Sequence, residues 1–356
     1  PRDVTGASPT DGKVYVFLGG SPLDLSADVI LTAPVSGRAF AWEASGVGDV
    51  SGDSIDDLVV TEYRDGGAYV YFGGDGAFDN APDVTLDDGT NEWDTTATTA
   101  GDVNGDGHTD IAMGVGHDDS CGFDRGKVHI FYAGPPLDGT PDQGMCAADY
   151  GDIFGVSLHG GADLNDDGDE DLVVGAWDAR SGSVHLYWGG DAWDTTRDLR
   201  LDETGQFYGT SGQMLSHADV NGDTVEDMLI GQFWTGGVDV FLYYGGTSMD
   251  STKDASWVSY GSAVAGIWDV DSDSFDEVVI GNRDADTVSL FSGGAPPSTT
   301  PVLQLTGDTT GERFGQSVVG GDFDGDGWPE LLVGAPWSDH AGTNAGKVYL
   351  YRVKAE

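Results

Sequence analysis

Short runs in which apolar and polar residues alternate recur along the whole chain, each stopped by glycine or by a break in the alternation. They are "GKVYVFLGG" (12–20), "GAYVYFGG" (67–74), "GKVHIFYAG" (126–134), "GSVHLYWGG" (182–190), "GGVDVFLYYGG" (236–246), "TVSLFSGG" (287–294) and "GKVYLYRV" (346–353). A period of two in β-branched and aromatic residues predicts a strand for each. Shorter strand-like pieces follow, such as "DVILTAP" (28–34), "DVTLDD" (83–88) and "VLQLTG" (302–307). A second recurring segment joins an acidic loop to a continuous apolar run. Its copies are "GDVSGDSIDDLVV" (48–60), "GDVNGDGHTDIAMGVG" (101–116), "ADLNDDGDEDLVVGAW" (162–177), "ADVNGDTVEDMLIGQF" (218–233), "WDVDSDSFDEVVIGN" (268–282) and "GDFDGDGWPELLVGAP" (321–336). Small-residue stretches such as "FGQSVVGGD" (314–322) lead into these loops. No convincing run of i, i+3, i+4, i+7 apolar spacing predicts a helix.

One unit is thus a small-residue strand, an acidic hairpin loop, an apolar strand, an aromatic strand and an outer strand. The first aspartates of the six loops lie 50 to 61 residues apart, a period that marks a propeller or solenoid. Four antiparallel strands per repeat make a propeller blade, with small residues at the crowded channel and aromatics filling the wider gaps outside. The expected fold is all-β: one propeller domain over residues 1–356, with blade units near 1–37 (partial), 38–90, 91–150, 151–204, 205–260, 261–311 and 312–356. Seven aromatic strands against six acidic loops leave the first blade without its first two strands. "PRDVTGASPTDGKVYVF" (1–17) aligns with "PWSDHAGTNAGKVYLY" (336–351), so Pro1 falls where Pro336 falls in its own repeat. Residues removed ahead of Pro1, or a neighbouring chain, would complete that blade. Six closed blades with an extra strand are the alternative.

Composition narrows the picture. The chain has 62 acidic against 15 basic residues, a formal charge of −47, with 38% hydrophobic residues, enough for a folded protein. Such a field opposes nucleic acid and anionic membrane. No apolar run approaches the ~20 residues of a membrane span, and neither a signal peptide nor an initiator Met is present. The acids are nearly all aspartate, which with 57 glycines points to tight oxygen-lined loops. Cys121 and Cys146 are the two cysteines, open to pairing as a disulfide or to two reduced core thiols.

Counting each loop from its first aspartate places side-chain oxygens at positions one, three, five and nine. The sets are Asp49, Ser51, Asp53 and Asp57; Asp102, Asn104, Asp106 and Asp110; Asp163, Asn165, Asp167 and Asp171; Asp219, Asn221, Asp223 and Asp227; Asp269, Asp271, Asp273 and Glu277; and Asp322, Asp324, Asp326 and Glu330. Position seven, held by Ile55, His108, Asp169, Val225, Phe275 and Trp328, is expected to offer a backbone carbonyl. A hairpin that turns every second residue inward suits a hard cation. Calcium takes roughly six to eight oxygens at about 2.3–2.6 Å and tolerates irregular geometry; zinc would want nitrogen or sulfur. Up to six calcium ions are expected, most tightly in the Asp269 and Asp322 loops, which carry four carboxylates each. Position six is Gly107, Gly168 and Gly327 in three loops but Ser54, Thr224 and Ser274 in the others, which implies strain there if positive φ is required. The Asp49 loop, with a serine ligand and no such glycine, ranks last. The competing reading makes the loops solvated turns held by local Asx hydrogen bonds.

These repeats resemble the FG-GAP repeats of integrin α-subunit propellers and of many secreted bacterial proteins. Residues 312–351 carry the full pattern: Phe314-Gly315, the acidic loop, Gly334-Ala335-Pro336 and the aromatic strand. Residues 152–177 are nearly as complete, whereas 206–219 and 260–269 keep a Tyr-Gly and 91–102 lacks the glycine. The resemblance implies seven blades, calcium in the hairpin between a blade's first two strands, and a secreted or cell-surface setting. It leaves function open. A binding, adhesion or surface-structural module with a protein or glycan partner is the first reading. A lectin is the second, with Trp42, Trp93, Trp177, Trp193, Trp234, Trp257, Trp268 and Trp337 as stacking candidates. A polysaccharide- or phosphoester-cleaving enzyme is the third, and the weakest. No nucleophile elbow, Walker loop or His-Glu-x-x-His motif occurs, and the strong carboxylate groups all belong to the loops. His129 and His185 share one repeat position on adjacent blades, open to a metal or to plain packing, since Tyr15, Tyr69 and Tyr349 fill the same slot. His159 and His217 fall in first strands near the channel, in different phases relative to their loops.

Overall fold

The computed structural model describes residues 11–353, apart from 21–25, 65–66, 75–78, 91, 124, 135, 147–152, 178–181, 191–192, 203–213, 235–236, 259–260, 262 and 341. Among the described residues there is no helix, and so none long and apolar enough to cross a membrane. The strands form seven antiparallel sheets. The first holds two, β1 (Lys13–Val16) and β2 (Val29–Thr32). The second runs β3 (Phe40–Gly48), β4 (Asp57–Glu62), β5 (Gly67–Tyr71), β6 (Val84–Asp87), and the third β7 (Thr95–Gly101), β8 (Asp110–Val115), β9 (Lys127–Phe131), β10 (Gln143–Cys146). The fourth is β11 (Ile153–Ala162), β12 (Asp171–Trp177), β13 (Gly182–Tyr187), β14 (Leu199–Asp202). The fifth is β15 (Leu215–Ala218), β16 (Asp227–Trp234), β17 (Gly237–Tyr243), β18 (Ala255–Trp257). The sixth is β19 (Ala263–Ile267), β20 (Glu277–Asn282), β21 (Thr287–Phe291), β22 (Leu303–Thr306). The seventh has three strands, β23 (Ser317–Gly321), β24 (Glu330–Ala335) and β25 (Lys347–Arg352). Strand order equals chain order in every sheet, so each is a meander. The fold is a seven-sheet β-propeller whose first sheet, among the described residues, lacks an inner pair, as the count of aromatic strands against acidic loops predicts.

The second strands of the inner sheets bury both faces because these sheets are sandwiched between two others, which explains the continuous apolar runs of β4, β8 and β12. Packing is between blades. Val59, Val70, Ile111, Met113 and Phe131 fill the gap between the second and third sheets; Phe154, Leu172 and Val174 meet Val128 and Ile130 in the next. Equivalent clusters occupy the following three gaps. Leu31, Phe40, Tyr69 and Tyr71 join the first sheet to the second. The gap between the seventh and first sheets differs. There Tyr15, Phe17, Val319, Val348 and Leu350 are exposed. The ring closes locally, where the Gly20 amide donates to the Phe323 carbonyl at 3.2 Å.

The repeated glycines of the second strand and of Phe-Gly have one physical cause. A Cβ on Gly281 would lie 2.2 Å from the Gly315 carbonyl oxygen of the next blade, and one on Gly114 would lie 2.1 Å from that of Gly155. Backbone meets backbone between blades at these points, and Gly155 and Gly315 adopt φ of 84° and 86°. Cys121 and Cys146 form a disulfide with a Cα–Cα separation of 5.9 Å, tying the loop after β8 to β10. Inside the ring, a cavity of about 810 Å³ is lined by residues of β3, β7, β11, β15, β19 and β23. Lys13 and Tyr15 of β1 and Val348 of β25 line it too, placing the open flank beside the channel.

Candidate metal centres

Each acidic loop joins the first and second strands of its blade, so all six emerge on one rim. Their internal bonding is nearly identical. The position-one carboxylate accepts the amides of positions five and six: Asp49 from Asp53 and Ser54, Asp102 from Asp106 and Gly107, Asp163 from Asp167 and Gly168. Asp219, Asp269 and Asp322 repeat this with Asp223 and Thr224, Asp273 and Ser274, and Asp326 and Gly327. Position five accepts from position seven at 2.9–3.0 Å in every loop, from Asp53···Ile55 to Asp326···Trp328. These amides turn each loop around a shared centre and leave the remaining carboxylate lone pairs for a cation.

The ninth position departs from a solvated turn. Asp57, Asp110, Asp171, Asp227, Glu277 and Glu330 are all buried. Each accepts the amide of position two, as Asp110 does from Val103 and Glu330 from Phe323. Asp57, Asp110, Asp171 and Asp227 also accept from Gly73, Ala133, Gly189 and Gly245 at the ends of the third strands. These carboxylates therefore bind the loop to two strands whether or not an ion is present. Burial pushes Asp110, Asp171 and Asp227 up to about 7, the acids at positions one and five adding to the push against the pull of the amides. Glu277 rises to about 8 for the same first cause, with Asp271, Asp273 and Asp269 contributing. A divalent cation would relieve the repulsion among them.

The structure draws the carboxylates closest in the two loops that carry four. Asp269, Asp271, Asp273 and Glu277 each place an oxygen within 4.8 Å of the others, as do Asp322, Asp324 and Glu330. An all-oxygen set of this kind fits a hard cation. In the other loops position three is turned to neighbouring acids: the Asn221 amide donates to Asp227 at 3.2 Å and Asn165 to Asp167 at 2.9 Å. The backbone requirement at position six is explicit, with Ser54, Thr224 and Ser274 at φ of 70°, 74° and 75° beside Gly107, Gly168 and Gly327 at 89°, 98° and 86°. Position four makes the same demand, filled by Gly52, Gly105, Gly222 and Gly325 but also by Asp166 and Ser272 at 62° and 65°.

Two features were not legible in the loop pattern. Arg352, at the end of β25, pairs with Asp324, with Glu330 at 3.3 Å and with Asp326 at 3.6 Å. A guanidinium thus competes for the acids of the Asp322 loop, which the carboxylate count alone ranks among the tightest. The equivalent residues Phe72, Tyr132, Trp188, Tyr244 and Ser292 carry no charge. His159 and His217, out of phase in the sequence, meet across blades with Nε2 and Nδ1 2.7 Å apart. A register shift in β11 between His159 and Ala162 is what moves His159 into reach. Burial lowers both imidazoles, His159 to about 3 with His217 adding to the fall, so the pair is neutral at pH 7. His129 and His185 do not meet: His185 contacts Ser183 at 2.8 Å. Among the tryptophans, Trp257 is core, while Trp93, Trp268 and Trp337 are exposed. Arg313 covers Trp337 at 3.4 Å. The side chain of Trp234 lies outside the described residues.

Residues 314–351 match the FG-GAP repeat family and residues 49–113 an FG-GAP-like repeat family. Integrin alpha-5 of Xenopus laevis is 31% identical over 221 residues, which cover 54% of this chain and 21% of that protein. Integrin alpha-PS2 of Drosophila melanogaster is 32% identical over 49% of the chain and 14% of its own length. Phosphatidylinositol-glycan-specific phospholipase D of Homo sapiens is 28% identical over 96% of the chain and 42% of that protein. The chain thus spans under half the length of each of these relatives. In fold it is similar to the Dos1 propeller, with a TM-score of 0.55 at 12% identity, covering 93% of this chain and 72% of that one. It is similarly close to BBS1N in complex with ARL6DN, with a TM-score of 0.55 at 11% identity, covering 85% and 77%.

Proposed function

We propose, for a chain that carries integrin-type FG-GAP repeats, a calcium-stiffened binding module that works outside the cell and performs no catalysis of its own. The observation that carries this reading is the sixfold repetition of one carboxylate–amide loop on a single rim. Calcium in up to six loops, held by the acids named above and the position-seven carbonyls, would lock each hairpin between its strands. The disulfide and the likeness to integrin α chains support an extracellular or cell-surface setting.

The partner is a protein or a glycan. A protein is favoured by the open flank, where apolar side chains of β1, β23 and β25 face solvent beside a first sheet that holds only two strands among the described residues. A hairpin of the repeat's own type, from residues ahead of Pro1 or from a neighbouring chain, would complete that blade. The lectin reading rests on the exposed rings of Trp93 and Trp268. Phosphoester cleavage rests on the similarity to the phospholipase D alone.

The deciding experiment immobilises the calcium-loaded protein and presents a peptide of residues 315–335, a glycan array and a phosphatidylinositol-glycan substrate. Peptide binding that disappears with EDTA supports the proposal. Sugar binding lost in Trp93→Ala would establish the lectin, turnover would establish an enzyme, and a melting curve indifferent to EDTA would remove calcium from the account.

A further inference from the structure

On the rim opposite the acidic loops, at the boundary of the second and third blades, lies a second kind of polar cluster. His129 on β9 faces Asp118, in the turn after β8, and Asp88, just beyond β6. Its Nε2 is 3.8 Å from Asp118 Oδ2 and 3.8 Å from Asp88 Oδ2. The three side chains are 5%, 1% and 0% exposed. All three ligand atoms lie within 4.8 Å of one another. His129 pairs with Met113, three residues or about 10 Å of strand rise beyond Asp110 of the Asp102 loop, and Asp118 lies farther still, so the two sites are separate.

The imidazole is the independent sign of a ligand. Its Nε2 is buried and has no hydrogen-bond partner. A buried polar nitrogen without one is costly, yet this atom points between two carboxylates. The separations of 3.8 Å exceed the ~2.7–3.2 Å of an N–H···O bond. They suit two ligands of one ion, because donors at about 2.0–2.1 Å from a tetrahedral metal need draw in by only a few tenths of an ångström.

The carboxylates are held in place from outside. Asp88 accepts the Thr90 amide at 2.8 Å and the Thr90 hydroxyl at 2.8 and 2.9 Å. Asp118 Oδ1 accepts the Ser120 amide at 2.5 Å, leaving Oδ2 turned to His129. The Cys121–Cys146 disulfide fixes the turn that carries Asp118 against β10, where Gly144 pairs with His129. His129 itself is the strongest influence holding the Asp118 carboxyl down against its burial, ahead of Ser120 and of the nearby cation Lys127. Neighbouring repeats fill the same slot without a metal set: Tyr69 donates to Glu62 and Tyr349 to Glu312, while His185 lies against Ser183 and Arg197.

We propose that Asp88, Asp118 and His129 form a binding site for one d-block divalent ion of the zinc class, distinct from the calcium loops and clamping the second blade to the third. One imidazole nitrogen and two carboxylates suit zinc or cobalt, whereas calcium prefers oxygen throughout. The two carboxylate charges balance a dication, and a water would supply the fourth ligand.

The test is cobalt titration of the full chain in excess calcium. One equivalent should bind with the visible d–d bands of a four-coordinate site, be displaced by equimolar zinc and resist added calcium. His129→Gln and Asp118→Asn should each lose the bands, while His185→Gln keeps them. Circular dichroism in calcium checks that each variant is folded, and Asp88→Asn supplies a third readout should one fail. Bands that persist in His129→Gln, the absence of bands in the wild type, or an NMR signal from a protonated His129 Nε2 unchanged by excess zinc would each overturn the site.

Discussion

Thr224 holds a left-handed backbone at φ 74° where three sister loops use glycine. A β-branched residue in that region carries strain on the order of 1–2 kcal/mol. Thr224→Gly keeps the amide that Asp219 accepts and should raise stability by about 1 kcal/mol, less the effect of the extra conformational entropy that glycine gives the unfolded chain. A urea midpoint that falls would refute the strain. Position six shows its requirement in the sequence as glycine in three loops, and position four shows it as glycine in four, with Asp166 and Ser272 the exceptions. Arg352 was invisible for a different reason, because contact between the end of β25 and the Asp322 loop is a matter of strand pairing, not of local motif. Arg352→Gln should tighten cation binding in that loop on the order of fivefold, a change worth roughly 1 kcal/mol. Terbium emission sensitised by Trp328 reads this directly, and an unchanged half-saturation would show that the guanidinium does not compete. Glu43 offers a pH test away from the loops. Burial in the channel wall pushes its carboxyl up to about 8, Asp94 adding to the rise against a hydrogen bond from the Ala97 backbone. The folded chain then keeps a proton that the unfolded chain releases above about 4.5, so this group's contribution to stability falls as pH rises from about 4.5 to about 8. Glu43→Gln should be near neutral at pH 4.5 and stabilising by about 2 kcal/mol at pH 8, a discounted figure because the channel admits water. Equal differences at both pH values would contradict the shift.

The blade explains why the alternation of the aromatic strands was so readable. Each of these strands turns its side chains alternately to the preceding and the following blade, and both gaps are largely apolar or aromatic, with His129, His185 and Ser289 as buried polar exceptions. The glycines tell of the same packing. Gly281→Ala would drive a Cβ toward the Gly315 carbonyl, 2.2 Å away, and is expected to cost about 1–3 kcal/mol through overpacking. Gly46→Ala, where a Cβ meets nothing within 4 Å, serves as the control and should be close to neutral. Equal stability of the two variants would argue against backbone contact as the origin of the motif. The meeting of His159 with His217 was not legible from loop phase, although Gly160-Gly161 sits at the register shift beside His159, with Gly161 at φ 84°.

At the scale of the molecule, number of sheets and location of the loops follow from the repeat, while ring closure does not. Closure depends on what faces the seventh sheet, where Val319, Val348 and Leu350 stand exposed. The charge of −47 acts on the same scale. Six doubly charged ions would bring the formal value from −47 to −35 and would place the relief inside the loops, where the acids are closest. Removing them leaves the folded chain to bear the full repulsion, which the unfolded chain escapes by expanding. EDTA should therefore lower Tm, and calcium should restore it with the logarithm of its free concentration, as expected for an ion that binds the folded loops and not the unfolded chain. Salt separates the two parts of this effect. With EDTA present, raising sodium chloride from about 0.05 M to about 0.5 M shortens the screening length from roughly 14 Å to roughly 4 Å and should recover only the long-range repulsion. Specific coordination, which sodium cannot supply, should stay missing, leaving Tm well short of its calcium value. Full recovery by salt alone would mean that the loops answer only to net charge and hold no cation in a defined cage.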